Sequence, residues 1–155
     1  MYSLMVKLSY GGALLTLGAY LWTFTSYPQP HGAAYVILGV CIFLVFAPAI
    51  LALRSRFGPN GFKTIFVGRS KLLFCLVILV TGLNFFYSLN AMEFASPTKA
   101  GDSYSLSNHG ETVRTLTETE YLQMQRHEKR LFLGHIWAFY LISGLLWSRV
   151  SRSEA

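Results

Sequence analysis

Four apolar stretches, residues 8–27, 33–53, 72–92 and 131–148, take up about half of this 155-residue chain and leave almost nothing from which to build a water-soluble core. A bilayer core of about 30 Å is spanned by roughly 20 apolar residues at 1.5 Å each, and every stretch is near that length. The sequence therefore predicts an all-α integral membrane protein with four transmembrane helices in a single bundle. With 53% hydrophobic and only 13% charged residues, the chain is too apolar for an ordinary soluble domain of this size. The first stretch ends in Thr25-Ser26-Tyr27-Pro28, without the small-x-small pattern of a cleavage site, and is expected to be a retained helix.

Charge sets the expected orientation. If the helices alternate, Lys7, Arg54, Arg56, Lys63, Arg69, Lys71, Arg149 and Arg152 share one side with only Glu154, whereas the other five cations are mixed with six carboxylates. Under the positive-inside rule that bias puts the N-terminus and the C-terminus in the cytoplasm. Cations beside helix ends meet anionic headgroups, so Arg54, Arg56, Lys63, Arg69 and Lys71 read as a membrane-surface set, with the lipid bilayer as partner and no nucleic acid. No Asn-x-Ser/Thr sequon occurs, which fits a bacterial inner membrane. Cys41 and Cys75 fall inside apolar stretches and imply no disulfide framework.

The connections differ in character. Pro28-Gln29-Pro30-His31-Gly32 is a short uncharged turn that predicts a tight hairpin of the first two helices. Gly58-Pro59-Asn60-Gly61 is a strong turn signal, after which Phe62, Ile65, Phe66 and Val67 interleave with Lys63 and Arg69 as in a segment lying on the headgroups. The longest connection, residues 93–130, is expected to form an outward-facing hairpin and helix module. It opens with Ser96-Pro97-Thr98-Lys99-Ala100-Gly101-Asp102, read as flexible. The segments around Tyr104 and Val113 then flank Ser107-Asn108-His109-Gly110, a hairpin signal with Asn or Gly at positive φ. Thr117 and Glu120 have the spacing of a capping box, so a helix should start there and run without a breaker through the fourth stretch. Its first turns project beyond the hydrocarbon, with Arg126, Lys129 and Arg130 as a snorkelling collar.

Chemistry-bearing residues are few. The four histidines, His31, His109, His127 and His135, all fall on the outward side, so the second layer of axial ligands that a transmembrane haem carrier needs is missing. An outer metal site from His109, His127 and Glu128 is conceivable, but the spacing does not require it; no metal and no cofactor is assigned. His135, about one turn into the fourth stretch, needs a polar partner, and Asn84 and Asn90 are the candidates for an intramembrane polar patch. No loop Cys-x-x-Cys, Gly-x-Ser-x-Gly or His-Glu-x-x-His is present, and no acidic residue lies within any stretch, which weakens catalysis and ion-coupled transport alike.

The leading expectation is a non-catalytic membrane protein that works by protein–protein contact in the bilayer. It would be an accessory subunit or an immunity-type protein, presenting Tyr104, Asn108, His109, Val113 and Tyr121 to another membrane protein or to a second copy of itself. The alternative is a membrane enzyme or transport element that uses the outward histidines and the polar patch.

Overall fold

The structure, a computed structural model, describes residues 2–25, 32–66 and 69–152. Four helices, α1 (Tyr2–Trp22), α2 (Gly32–Phe57), α3 (Arg69–Ala91) and α4 (Glu118–Arg152), are each long and apolar enough to cross a bilayer. A 3₁₀ segment, Gly58–Phe66, follows α2 directly. The side chains of Phe62, Ile65, Phe66 and Arg69, the whole of Val67, and the turn at residues 28–31 lie outside the described residues.

The helices are not arranged as a ring. α4 is the hub: α1, α2 and α3 each pack along it, α1 meets α2 only briefly, and the backbones of α2 and α3 do not approach one another. The expected tight pairing of α1 with α2 is thus replaced by separate docking of both on α4. Ala49, Leu53, Leu146, Trp147 and Val150 form a buried cluster that Tyr2 and Phe74 join. The start of α1, the end of α2, the start of α3 and the end of α4 therefore share one end of the bundle, and the helices alternate in direction. Pro48 withholds a donor and crowds the preceding turn of α2. In that turn the Val45 carbonyl accepts the Trp147 indole N–H at 2.8 Å.

Along the seam between α1 and α4, side chains are small or hydroxylic. Ser9, Ala13, Thr16 and Thr23 recur four, three and seven residues apart, the spacing of one helix face, and are buried. Ser9 and Ser143 hydroxyls meet across the seam at 3.0 Å. A Cβ added at Gly12 would sit on the Tyr140 ring, and one at Gly144 would lie 2.9 Å from the Tyr10 ring, so both positions permit close approach. Gly11 and Gly18 face open space instead. The large apolar side chains point the other way, with Leu14, Leu15, Phe43 and Leu72 about 70% exposed. Hydroxyls inside and leucines outside is the reverse of a soluble bundle, and it suits helices surrounded by an apolar medium.

The chain is not all-α. Three strands, β1 (Ser96–Ala100), β2 (Ser103–Asn108) and β3 (Glu111–Leu116), form an antiparallel meander between α3 and α4. The stretch expected to be flexible is therefore a strand and a tight turn, with Gly101 at φ 60. Pairing with β2 and a Thr98–Ser105 hydroxyl contact of 2.9 Å hold it in place. The β2–β3 hairpin forms where its turn signal predicts, with Gly110 (φ 89) at positive φ as expected and, beyond that expectation, His109 (φ 50) beside it. Ala95, Leu106 and Leu116 make a small core against Tyr121 and Met124 of α4. That packing answers the instability of an isolated hairpin.

The capping box closes as its spacing predicts. The Thr117 amide and hydroxyl both donate to the Glu120 carboxylate at 2.8 Å, and the Glu120 amide donates back to the hydroxyl at 3.3 Å. Arg114 on β3 spans Glu93 and Glu120, at 3.0 and 3.1 Å, and so ties sheet, α3 exit and α4 start together. From this cap α4 runs 35 residues without a break.

Candidate functional site

The polar groups of the bundle concentrate at the end nearest the sheet. There α1 finishes in a tightened turn, and the carbonyl of Thr23, just beyond its last helical residue, needs a donor. Arg130 supplies it from α4, with Nε donating to the Thr23 hydroxyl and Nη2 to the Thr23 carbonyl, both at 3.0 Å. Its guanidinium carbon lies 4.0 Å from the centre of the Phe24 ring. With only 9% of its surface exposed, Arg130 is turned inward, which corrects its expected place in a snorkelling collar. The uncapped carbonyl end of α1 is the physical reason, because it offers a cation both an acceptor and the negative pole of the helix.

One turn further into the bundle, Asn84 joins three helices. Its amide nitrogen donates to the Arg130 carbonyl at 3.1 Å, and its oxygen accepts the Tyr20 hydroxyl at 2.8 Å. A Cβ at Gly134 would collide with the Asn84 amide, so the glycine makes room for this link. Tyr20, Thr81, Asn84 and Gly134 border a cavity of about 80 Å³. His127 is buried against the Tyr87 ring, with centroids 5.7 Å apart and its Nδ1 without a hydrogen-bond partner. The Ser88 hydroxyl is buried and unpartnered too. Among the described residues no carboxylate pairs with Arg130; its hydrogen-bond partners are the neutral oxygens of Thr23. The layer is built to fasten helices, with a few polar atoms left over.

A second feature lies on the other side of α4. Because α2 and α3 do not meet, a groove of about 550 Å³ runs between them over α4, bordered by Val36, Gly39, Phe43, Phe85, Phe132 and Phe139. His135 is the one polar side chain on its wall. The ring nitrogen Nδ1 lies 2.7 Å from the Leu131 carbonyl, which can only accept, and so donates to it, while Phe85 stands edge-on at 5.4 Å. Towards the sheet end the groove meets a smaller hollow of about 270 Å³ bordered by Tyr35, Glu128, Lys129 and, in common with the groove, Phe132.

These positions redistribute the residues singled out in the sequence. His135 finds its partner in its own helix rather than in Asn84 or Asn90. Asn84 serves the opposite side of α4, and Asn90 is exposed at the end of α3, where its carbonyl accepts the Glu93 amide at 3.1 Å. The three do not form one patch. Tyr104 and Tyr121 stack with ring centroids 4.8 Å apart at the joint between sheet and α4, with Lys99 over Tyr104 at 5.0 Å. Asn108, His109 and Val113 sit apart from them, towards the exposed tip of the hairpin, where the register shift between β2 and β3 leaves Val113 unpaired.

Of the cations expected from the sequence to line a membrane surface, Arg54 and Arg56 end α2, Lys63 lies on the 3₁₀ segment and Lys71 opens α3, all at the end opposite the sheet. His109, His127 and Glu128 do not converge, and no group of three metal-binding side chains occurs among the described residues. Cys41 and Cys75 are free thiols. Sequence reasoning missed the Arg130–Thr23 cap and the Tyr35 hollow. The only available signal was that Tyr35 falls on the same helical face as Gly39 and Ile42. Comparison with protein-family models, with curated proteins and with solved structures finds no match to this chain.

Proposed function

We propose that this chain is a multi-pass membrane protein that acts by contact, as an accessory subunit or an immunity-type protein, with both termini cytoplasmic and the sheet on the outer face. The carrying observation is the fixed attachment of the sheet to α4, through the Leu106–Leu116 core, the Tyr104–Tyr121 stack and the Arg114 bridges. One face of the sheet is spent on that joint. The other carries Thr98, Ser105, Ser107 and Thr115, and the tip carries His109 and Val113, all short or uncharged side chains on a rigid mount that costs little entropy to hold still on binding. The reversed polarity of the helices supports the bilayer as the surrounding medium, and the basic end of the bundle supports the orientation.

Co-purification from a host membrane tests this reading. Replacement of Asn108-His109 by Ser-Gly, with Gly110 kept in its left-handed conformation, should abolish recovery of a stoichiometric protein partner and leave the thermal transition of the bundle in place. Undiminished recovery with the altered turn, or a lone monomer from the unaltered protein, counts against it. Protease cleavage at the sheet from the cytoplasmic side only would reverse the orientation.

A further inference from the structure

We propose that the groove between α2 and α3 is a binding site for one zwitterionic glycerophospholipid, with an acyl chain against α4 and the headgroup in the hollow beside Tyr35. The inference rests on the reading of the helices as membrane-embedded. The groove's volume of about 550 Å³ is within the roughly 300–1,000 Å³ of small-molecule sites, and its wall is hydrocarbon and aromatic apart from His135. Bare lipid contact would need no more than that wall.

The mouth makes the difference. Tyr35 borders the hollow with Glu128 and Lys129 and is only 8% exposed, and its hydroxyl is buried without a hydrogen-bond partner. A buried phenol without an acceptor is unfavourable, and a phosphate oxygen in the hollow supplies one. Lys129, whose ammonium lies 5.8 Å from the centre of the Tyr35 ring, adds positive charge on the same side. Glu128 brings a carboxylate to the same hollow, which suits an ammonium and disfavours a purely anionic headgroup. Phosphate on Tyr35 and Lys129 with ammonium on Glu128 is the charge pattern of an ethanolamine or choline phospholipid. Phe132, common to groove and hollow, marks where headgroup gives way to chain.

Gly39 provides a clean probe, because it borders the groove and a Cβ there would make only ordinary contact, 3.7 Å from Ile136 Cδ1, so a side chain can start there without clash. The experiment is native mass spectrometry of the full chain from nanodiscs of equimolar phosphatidylethanolamine and phosphatidylglycerol. The unaltered protein should retain one phosphatidylethanolamine in preference to phosphatidylglycerol by severalfold. Gly39→Phe should lose it, and Tyr35→Phe with Lys129→Gln should reduce retention at least threefold while the thermal transition stays put. Equal retention of the two lipids, retention unchanged in Gly39→Phe, or no retained lipid overturns the proposal. A protein washed from membranes by alkaline carbonate would instead overturn the membrane reading itself, a result that lipid counting does not imitate.

Discussion

Arg130 and Thr23, 107 positions apart, are joined by two hydrogen bonds of 3.0 Å that close the end of α1 from the side of α4. Hydrogen bonds to a charged group contribute roughly 1.5–3 kcal/mol, and their loss leaves a buried carbonyl unsatisfied. Arg130→Ala should therefore destabilise the bundle by about 2–3 kcal/mol, read as a lower thermal midpoint in detergent. Arg130→Lys, with one centre of charge and no fork, should recover only part. An Arg130→Ala protein as stable as the original would show that the cap is ornamental.

The seam between α1 and α4 predicts opposite signs for two neighbouring glycines. Gly12→Ala drives a methyl into the Tyr140 ring and should cost about 1–3 kcal/mol. Gly11→Ala meets nothing and should be neutral or stabilise by roughly 0.5–1 kcal/mol through helix propensity. Unfolding of the two variants side by side in the same micelle provides the comparison.

Acid should loosen the sheet from α4 before it affects the helices. The Thr117 amide and hydroxyl, with Arg114, hold the Glu120 carboxyl down at about 2 from its ordinary value of 4.5. A depressed carboxyl contributes stability above its unfolded value and loses it as the pH falls towards the folded one. The near-ultraviolet signal of the Tyr104–Tyr121 stack should hence be steady from neutrality down to about pH 5 and decline between 4.5 and 2. Glu120→Gln should be weaker at neutrality and flat over that window.

At the hairpin tip, His109 and Gly110 both adopt left-handed backbone, a demand that β-branched residues resist. His109→Val should cost about 1–2 kcal/mol in sheet stability, whereas His109→Asn should be tolerated or favoured. Amide exchange in β2 and β3 would report either result.

What could be read in advance divides along physical lines. Long apolar runs and the Thr117–Glu120 cap are local signals, and both α4's start and the number of long apolar helices follow from them. β1 escaped notice because Ser96-Pro97-Thr98-Lys99-Ala100 is polar, short and without alternation; its extended form comes from the ladder with β2, not from its own preference. Arg130 was misplaced for a similar reason. The same helical position can send a guanidinium to solvent or to a neighbour, and the choice was made by where α1 happens to stop. Asn84 and His135 looked like one patch because sequence cannot tell which side of α4 a packed helix occupies.

Because α1, α2 and α3 each lean on α4 and scarcely on one another, the order of synthesis matters. Three helices leave the ribosome before the one that organises them, and contacts such as Ser9 with Ser143 bridge nearly the length of the chain. Until α4 emerges, the earlier helices lack the partner on which each of them packs. The three earlier helices thus pass through an interval without their common support, which closes when α4 docks among them.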